Sequence, residues 1–240
     1  NENLVGVYAT CVMMCAAMEI PFNSLERIAQ PKISYSWNIG DKKEVEKIYE
    51  MSSRYMFFIG SIIFCVLWAS LDFIFMFLPA EYQQGKTALY IVSLSSLINL
   101  LTGVNTSVLV MSHKYFVVSA LLILMMGITF VANNFLITPL GINGAALATL
   151  IGIGSFNLLK YFYILIRLKM QALSIHSFWI AICLISSLTL IHFLPQSLHP
   201  FVRAALGGVF TLSIFTLMNI RRNTIVEINK TLKRFGIIKN

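Results

Sequence analysis

Apolar stretches about 20 residues long recur along the whole chain, most of them separated by only a few polar residues. A helix rises 1.5 Å per residue, so ~20 apolar residues cover the ~30 Å hydrocarbon core of a bilayer. About seven such runs can be drawn, at 4–28, 55–78, 87–111, 115–137, 142–166, 178–194 and 201–220. The expected fold is therefore all-α: a polytopic transmembrane helical bundle of about seven spans. Most connections are short, which suits antiparallel neighbours.

Composition agrees with this. Charged residues make up 12% of the chain, about half the ~25% of soluble domains, and the mean hydropathy is +0.78. A net charge of +8 could suggest nucleic acid in a soluble protein. Here the Lys and Arg residues sit between and after the apolar runs, which is how membrane topology is encoded. The 18 Phe residues lie within the runs and do not interleave with basic residues, so no nucleic-acid partner is expected. Cys11, Cys15, Cys65 and Cys183 all fall in apolar runs and read as buried small hydrophobes, with no metal site.

Charge also orients the chain. Alternate connections carry Lys32, Lys42, Lys43, Lys47 and Arg54, then Lys114, then Arg167 and Lys169, then Arg221, Arg222, Lys230, Lys233, Arg234 and Lys239. The opposite set holds only Lys86 and Arg203. Arg27 and Lys160 lie near the basic ends of their runs and can snorkel there. The basic connections and the C-terminus are expected in the cytoplasm. An odd number of spans then places Asn1 outside, without an initiator Met or export signal; the expectation is that earlier spans precede it in a longer protein.

The longest polar stretch is 31–54, with an amphipathic linker at 32–54. Asp41 and Glu44 form an acidic capping pair, with Asp41 as N-cap. Val45, Ile48 and Tyr49 share one face of the helix that follows. Two readings stand: a helix lying on the membrane surface, or a solvated extension of the second span.

Glu19 is the most informative single residue. It lies about fifteen residues into the first run, roughly 22 Å along a helix, where a carboxylate needs a polar cavity, a partner or a proton. Pro21 removes a backbone donor two residues later and opens or kinks the helix. A carboxylate beside a helix break suits a coupling-ion or substrate site; the alternative is a residue near the interface, bonded to a freed backbone group or to Arg27. Glu19, Asn23, Glu26 and Arg27 follow an i, i+4, i+7, i+8 pattern, so they share one face. Glu19, Asn23 and Arg27 are the candidate cavity residues, with Arg27 suited to phosphate or to topological anchoring. Asp72 reads as interfacial, and Asn99, Asn105, Asn133 and Asn157 as bonds between helices. Gly144, Ala148 and Gly152 recur every four residues as a packing ridge.

No catalytic constellation is visible. His113, His176, His192 and His199 have no Asp, Glu, Ser or Cys at a motif spacing, and no Walker motif is present. The chain is expected to be no enzyme and to need no cofactor.

Particular strings carry more. Val5-Gly6-Val7-Tyr8, Pro21 through Ser24-Leu25-Glu26-Arg27-Ile28 to Pro31-Lys32-Ile33, Gly40-Asp41, Ile48-Tyr49, Ser52-Ser53 and Pro79-Ala80-Glu81-Tyr82 come in order. Asn134, Pro139 and Gly141-Ile142-Asn143-Gly144-Ala145-Ala146-Leu147-Ala148-Thr149 complete the series. Over residues 5 to about 165 the chain resembles the C-terminal half of bacterial polysaccharide repeat-unit flippases, of the multidrug/oligosaccharidyl-lipid/polysaccharide exporter superfamily. The resemblance implies two lobes around a central cavity and alternating access. Its substrate is an oligosaccharide on a polyprenyl diphosphate, moved across the inner membrane for capsule or lipopolysaccharide assembly. On this mapping 1–170 supplies five second-lobe spans, and 171–240 two additional spans and a basic tail. The implied partners are the lipid-linked oligosaccharide, membrane lipids and other polysaccharide-assembly proteins. A multidrug or peptidoglycan-precursor transporter shares the same fold, and an integral membrane enzyme of polysaccharide assembly is the second class.

Overall fold

The computed structural model describes residues 2–194 and 199–222. Basic tail residues Lys230, Lys233, Arg234 and Lys239 lie outside the described residues, as does Asn1. The described chain is all-helical, with no strand. Nine helices run in order: α1 (Glu2–Ala16), α2 (Ile20–Asn38), α3 (Lys42–Met76), α4 (Lys86–Leu101), α5 (Asn105–Met111), α6 (Tyr115–Leu140), α7 (Ile142–Tyr163), α8 (Ile175–Phe193) and α9 (Pro200–Arg222).

Among the described residues five helical segments are long and apolar enough to cross a membrane: Leu4–Asn38, Lys42–Met76, Tyr115–Leu140, Ile142–Leu168 and Ile175–Phe193. A sixth crossing exists if Ala80–Leu101 and Asn105–Met111, bent by 46°, form one span. Pro200–Thr216 is a shorter apolar helix where the seventh was expected. Burial shows what solvent these helices need. None of the 26 residues of α6 is buried, and Ile123, Met126, Phe130 and Phe135 are each at least 65% exposed. An apolar surface that large is stable against hydrocarbon rather than water.

Three boundaries differ from the sequence reading. The polar stretch 31–54 is not one connection: α2 continues through Pro31 to Asn38 and α3 begins at Lys42. Val45, Ile48 and Tyr49 pack with Phe22, Ala29 and Ile33 in one buried cluster, so apolar contact carries both helices past the membrane-length run. The segment 42–54 is thus a continuous extension of the second span. Asp41 caps it as expected, its Oδ1 accepting the Glu44 N–H at 3.1 Å. Second, α6 passes Pro139 and stops at Gly141, whose φ of +54° no L side chain adopts readily. Third, the run 87–111 is broken at residues 102–104.

Charged side chains collect at both ends of the bundle. At one, the Gln171 N–H donates to Glu46 Oε1 at 3.2 Å, bringing the 164–174 connection beside the start of α3. Lys42, Lys43, Lys47, Arg167 and Lys169 gather there. At the other, Asp72 on α3 pairs with Lys86 and Arg203, each at 2.8 Å, tying α3, α4 and α9 together. Arg54, expected in a connection, is instead buried on α3, donating to Tyr55 Oη at 3.3 Å.

Candidate functional site

Two helices break inside the bundle, and polar side chains collect at both breaks. The first break is a 3-10 turn over Ala17–Glu19, between α1 and α2. Pro21 sits in the first turn of α2. It has no N–H to offer Ala17, four residues back, and its ring crowds that carbonyl, so the tighter turn relieves both. Glu19 is the residue before α2 and is half-buried. Its Oε1 accepts a long bond of 3.4 Å from Asn99 Nδ2 on α4.

The second break separates α4 from α5. Gly103 takes φ +57°, and a Cβ there would lie 2.6 Å from the Ser53 backbone nitrogen. Only glycine fits. Backbone groups freed by a break need new partners in a membrane, and α3 supplies them. Ser53 Oγ donates to the Leu101 carbonyl, and Ser52 Oγ accepts the Val104 N–H at 3.3 Å.

From this link a chain of side-chain bonds crosses the bundle. Asn157 Oδ1 on α7 accepts from Thr102 Oγ1 at 3.1 Å and from Asn105 Nδ2 at 3.2 Å. Lys160 Nζ donates to Thr106 Oγ1 at 2.8 Å and lies 3.9 Å from the Phe156 ring centroid. Ser107 Oγ donates to Glu26 Oε1 on α2 at 2.6 Å and accepts from Gln30 Nε2 at 3.3 Å. The short helix α5 is therefore held between α2 and α7 by polar side chains on both faces.

This geometry divides the sector Glu19, Asn23, Glu26 and Arg27. At 100° per residue the four span about 100° of the helix surface, and the edge of the bundle runs through the middle. Glu19 and Glu26 turn inward to Asn99 and Ser107. Asn23 and Arg27 are exposed, with Ser24 beside them, so the four do not line one groove. Glu19 also makes no bond to Arg27; its partner is Asn99. Among the described residues no hydrogen bond or ion pair reaches Asn23 or Arg27.

Lys160 departs furthest from expectation. It does not snorkel to the basic end: it is 2% exposed, because Thr106 on α5 offers an oxygen and Phe156 a ring face inside the bundle. Its sequence signal was slight. Asn157 and Lys160 lie three residues apart on one helical face. The ridge on α7 faces α6 at two points: a Cβ on Gly144 would lie 2.0 Å from the Leu136 carbonyl oxygen, and one on Gly152 2.0 Å from Thr129 Oγ1. Ala148 is fully buried. Beside the α4–α5 link a cleft of about 320 Å³ is lined by Ile98, Leu101, Thr102, Gly154, Leu158 and Tyr161, nearly all apolar. No group of three or more His, Cys, Asp or Glu able to hold a metal occurs among the described residues, and the four cysteines are unpaired thiols. No protein family, curated protein or solved structure matches the chain.

Proposed function

We propose that this chain forms one wall of an alternating-access exporter that moves polyprenyl-diphosphate-linked oligosaccharide repeat units across the inner membrane. The supporting observation is the outward face of α2, where Asn23, Ser24 and Arg27 are exposed on a broken helix of membrane-crossing length. A guanidinium left against lipid costs at least about 2.5–3.5 kcal/mol, so Arg27 must reach water, by snorkelling to the basic end of its run or by bordering an aqueous pathway, and the proposed route is the second. Arg27 suits the diphosphate, which guanidinium binds through two parallel hydrogen bonds. Asn23 offers both a donor and an acceptor to sugar hydroxyls.

The other features fit the same cycle. Glu19, half-buried at the first break, takes the coupling cation. The basic end of the bundle is cytoplasmic by the distribution of Lys and Arg, which puts Arg27 where substrate is loaded. The chain performs no covalent chemistry. Its partners are the lipid-linked oligosaccharide, surrounding lipids and other polysaccharide-assembly proteins.

The test is translocation of a fluorescent polyprenyl-diphosphate oligosaccharide in proteoliposomes. Arg27→Ala is expected to lower the rate about 10- to 100-fold, the value of a charged hydrogen-bond pair, with insertion unchanged. A wild-type rate in Arg27→Ala removes Arg27 from the pathway. No translocation by the unaltered protein overturns the reading.

A further inference from the structure

Lys160 is the one basic residue on α7, and α5 and α6 contain no Asp, Glu, Lys, Arg or His. An ammonium withdrawn from water costs several kcal/mol, even with good partners, so its place inside a membrane-crossing bundle points to a use. Its partners are modest: one hydroxyl, Thr106, and the face of Phe156. Both contacts favour a charged ammonium, yet neither is an ion pair. The charged group that acts on it is Glu26 of α2, whose carboxylate is itself bonded to Ser107, the residue after Thr106. The two charges thus grip adjacent residues of α5 from opposite sides, and α5 begins two residues after the left-handed Gly103.

We infer that Lys160 is a proton-binding site inside the bundle, and that its proton decides whether α5 is clamped between α2 and α7 or free to swing about Gly103. In the clamped state the ammonium holds Thr106 and faces Glu26 across α5. On release the N–H bond of the ammonium breaks, its electron pair stays on the amine, and the proton passes to a water molecule. The neutral amine no longer attracts Glu26, and α5 loses its charged hold on the α7 side while Ser107 keeps its bond to Glu26 on the α2 side. Other titratable groups on elements against α7 are Tyr8, Cys11 and Cys15 on α1, Lys86 and Tyr90 on α4, and Tyr115 on α6. Its own chain adds Tyr161, Tyr163 and Arg167. None of these hydrogen-bonds Lys160. The transport reading supplies the purpose of such a switch; the test does not depend on it.

The experiment is hydrogen–deuterium exchange of the whole protein in nanodiscs, following residues 103–111 across pH and correcting for intrinsic exchange. Unaltered protein is expected to lose protection there about tenfold as pH rises, the difference between a charged and a neutral hydrogen bond. Lys160→Arg, whose charge is permanent, should stay protected at every pH. Lys160→Met should be unprotected at every pH, and Glu26→Gln, which keeps the proton site and loses the attraction, should keep a smaller pH response. Protection that is independent of pH in the unaltered protein, or a pH response that survives Lys160→Met, overturns the proposal. A response lost in Glu26→Gln but kept in Lys160→Met would place the proton on the carboxylate and overturn it equally. Failure of oligosaccharide translocation alongside an intact exchange switch would instead count only against the transport reading.

Discussion

Replacing Gly103 by alanine tests the broken helix most simply, because two independent costs can be worked from the geometry. The φ of +57° costs an L residue about 1–2 kcal/mol. The added Cβ would stand 2.6 Å from the Ser53 nitrogen and 2.8 Å from both Ser52 Oγ and Ser53 Cα. Two of these three atoms are backbone of a long packed helix and cannot rotate away. Overpacking of this kind costs about 1–3 kcal/mol. If α3 shifts to make room, the bonds from Ser52 and Ser53 to the link weaken instead, at about 0.5–1.5 kcal/mol each. The expected loss is on the order of 2–5 kcal/mol, a large part of a typical stability. Thermal unfolding in detergent should show a midpoint lowered on the order of 10 °C. Gly127→Ala is the control, since nothing lies within 4 Å of a Cβ there; in mid-helix it should be neutral or stabilising by about 0.5–1 kcal/mol. A Gly103→Ala protein that melts with the unaltered one would refute the account of the α4–α5 link.

Asn157→Ala leaves the buried Asn105 amide without its acceptor, while Thr102 keeps the Asn99 carbonyl; unfolding titrations should record a loss of about 1–3 kcal/mol. Gly152→Val drives a side chain into Thr129 on α6; protease sensitivity of the connection at 112–114, just before α6, should rise as α6 separates from α7. Asp72→Asn breaks a pair of ion contacts whose carboxylate side chain is 39% exposed. Solvent screening limits that cost to about 0–1 kcal/mol, so its unfolding midpoint should barely move.

Much of the bundle was legible because local chemistry decides it. Pro21 sits in the turn after the break at 17–19, although α2 runs unbroken through Pro31, and Asp41 caps the helix that follows it. Val45, Ile48 and Tyr49 share a face by spacing alone, and that face is buried. What neighbours decide was not legible. Residues 102–104 lack proline, and only an isolated glycine marks a break whose bonds come from Ser52 and Ser53, about 50 residues earlier. Lys160 at the end of an apolar run reads as a snorkelling residue until Thr106 and Phe156 are known to face it. The sector from Glu19 to Arg27 is a single stripe by helical geometry; which half points inward depends on where Asn99 and Ser107 lie.

The central claim is that the outward face of α2 borders water while crossing the membrane. Single cysteines at Asn23, Ser24 and Arg27, in a background lacking the four native cysteines, can be reacted with a hydrophilic, membrane-impermeant thiol reagent in oriented vesicles. Cysteines at Ile123 and Phe130 on α6 serve as lipid-facing references. The account predicts rapid labelling at all three α2 positions and none at the references. Labelling at Asn23 and Arg27 no faster than at Ile123 would contradict it.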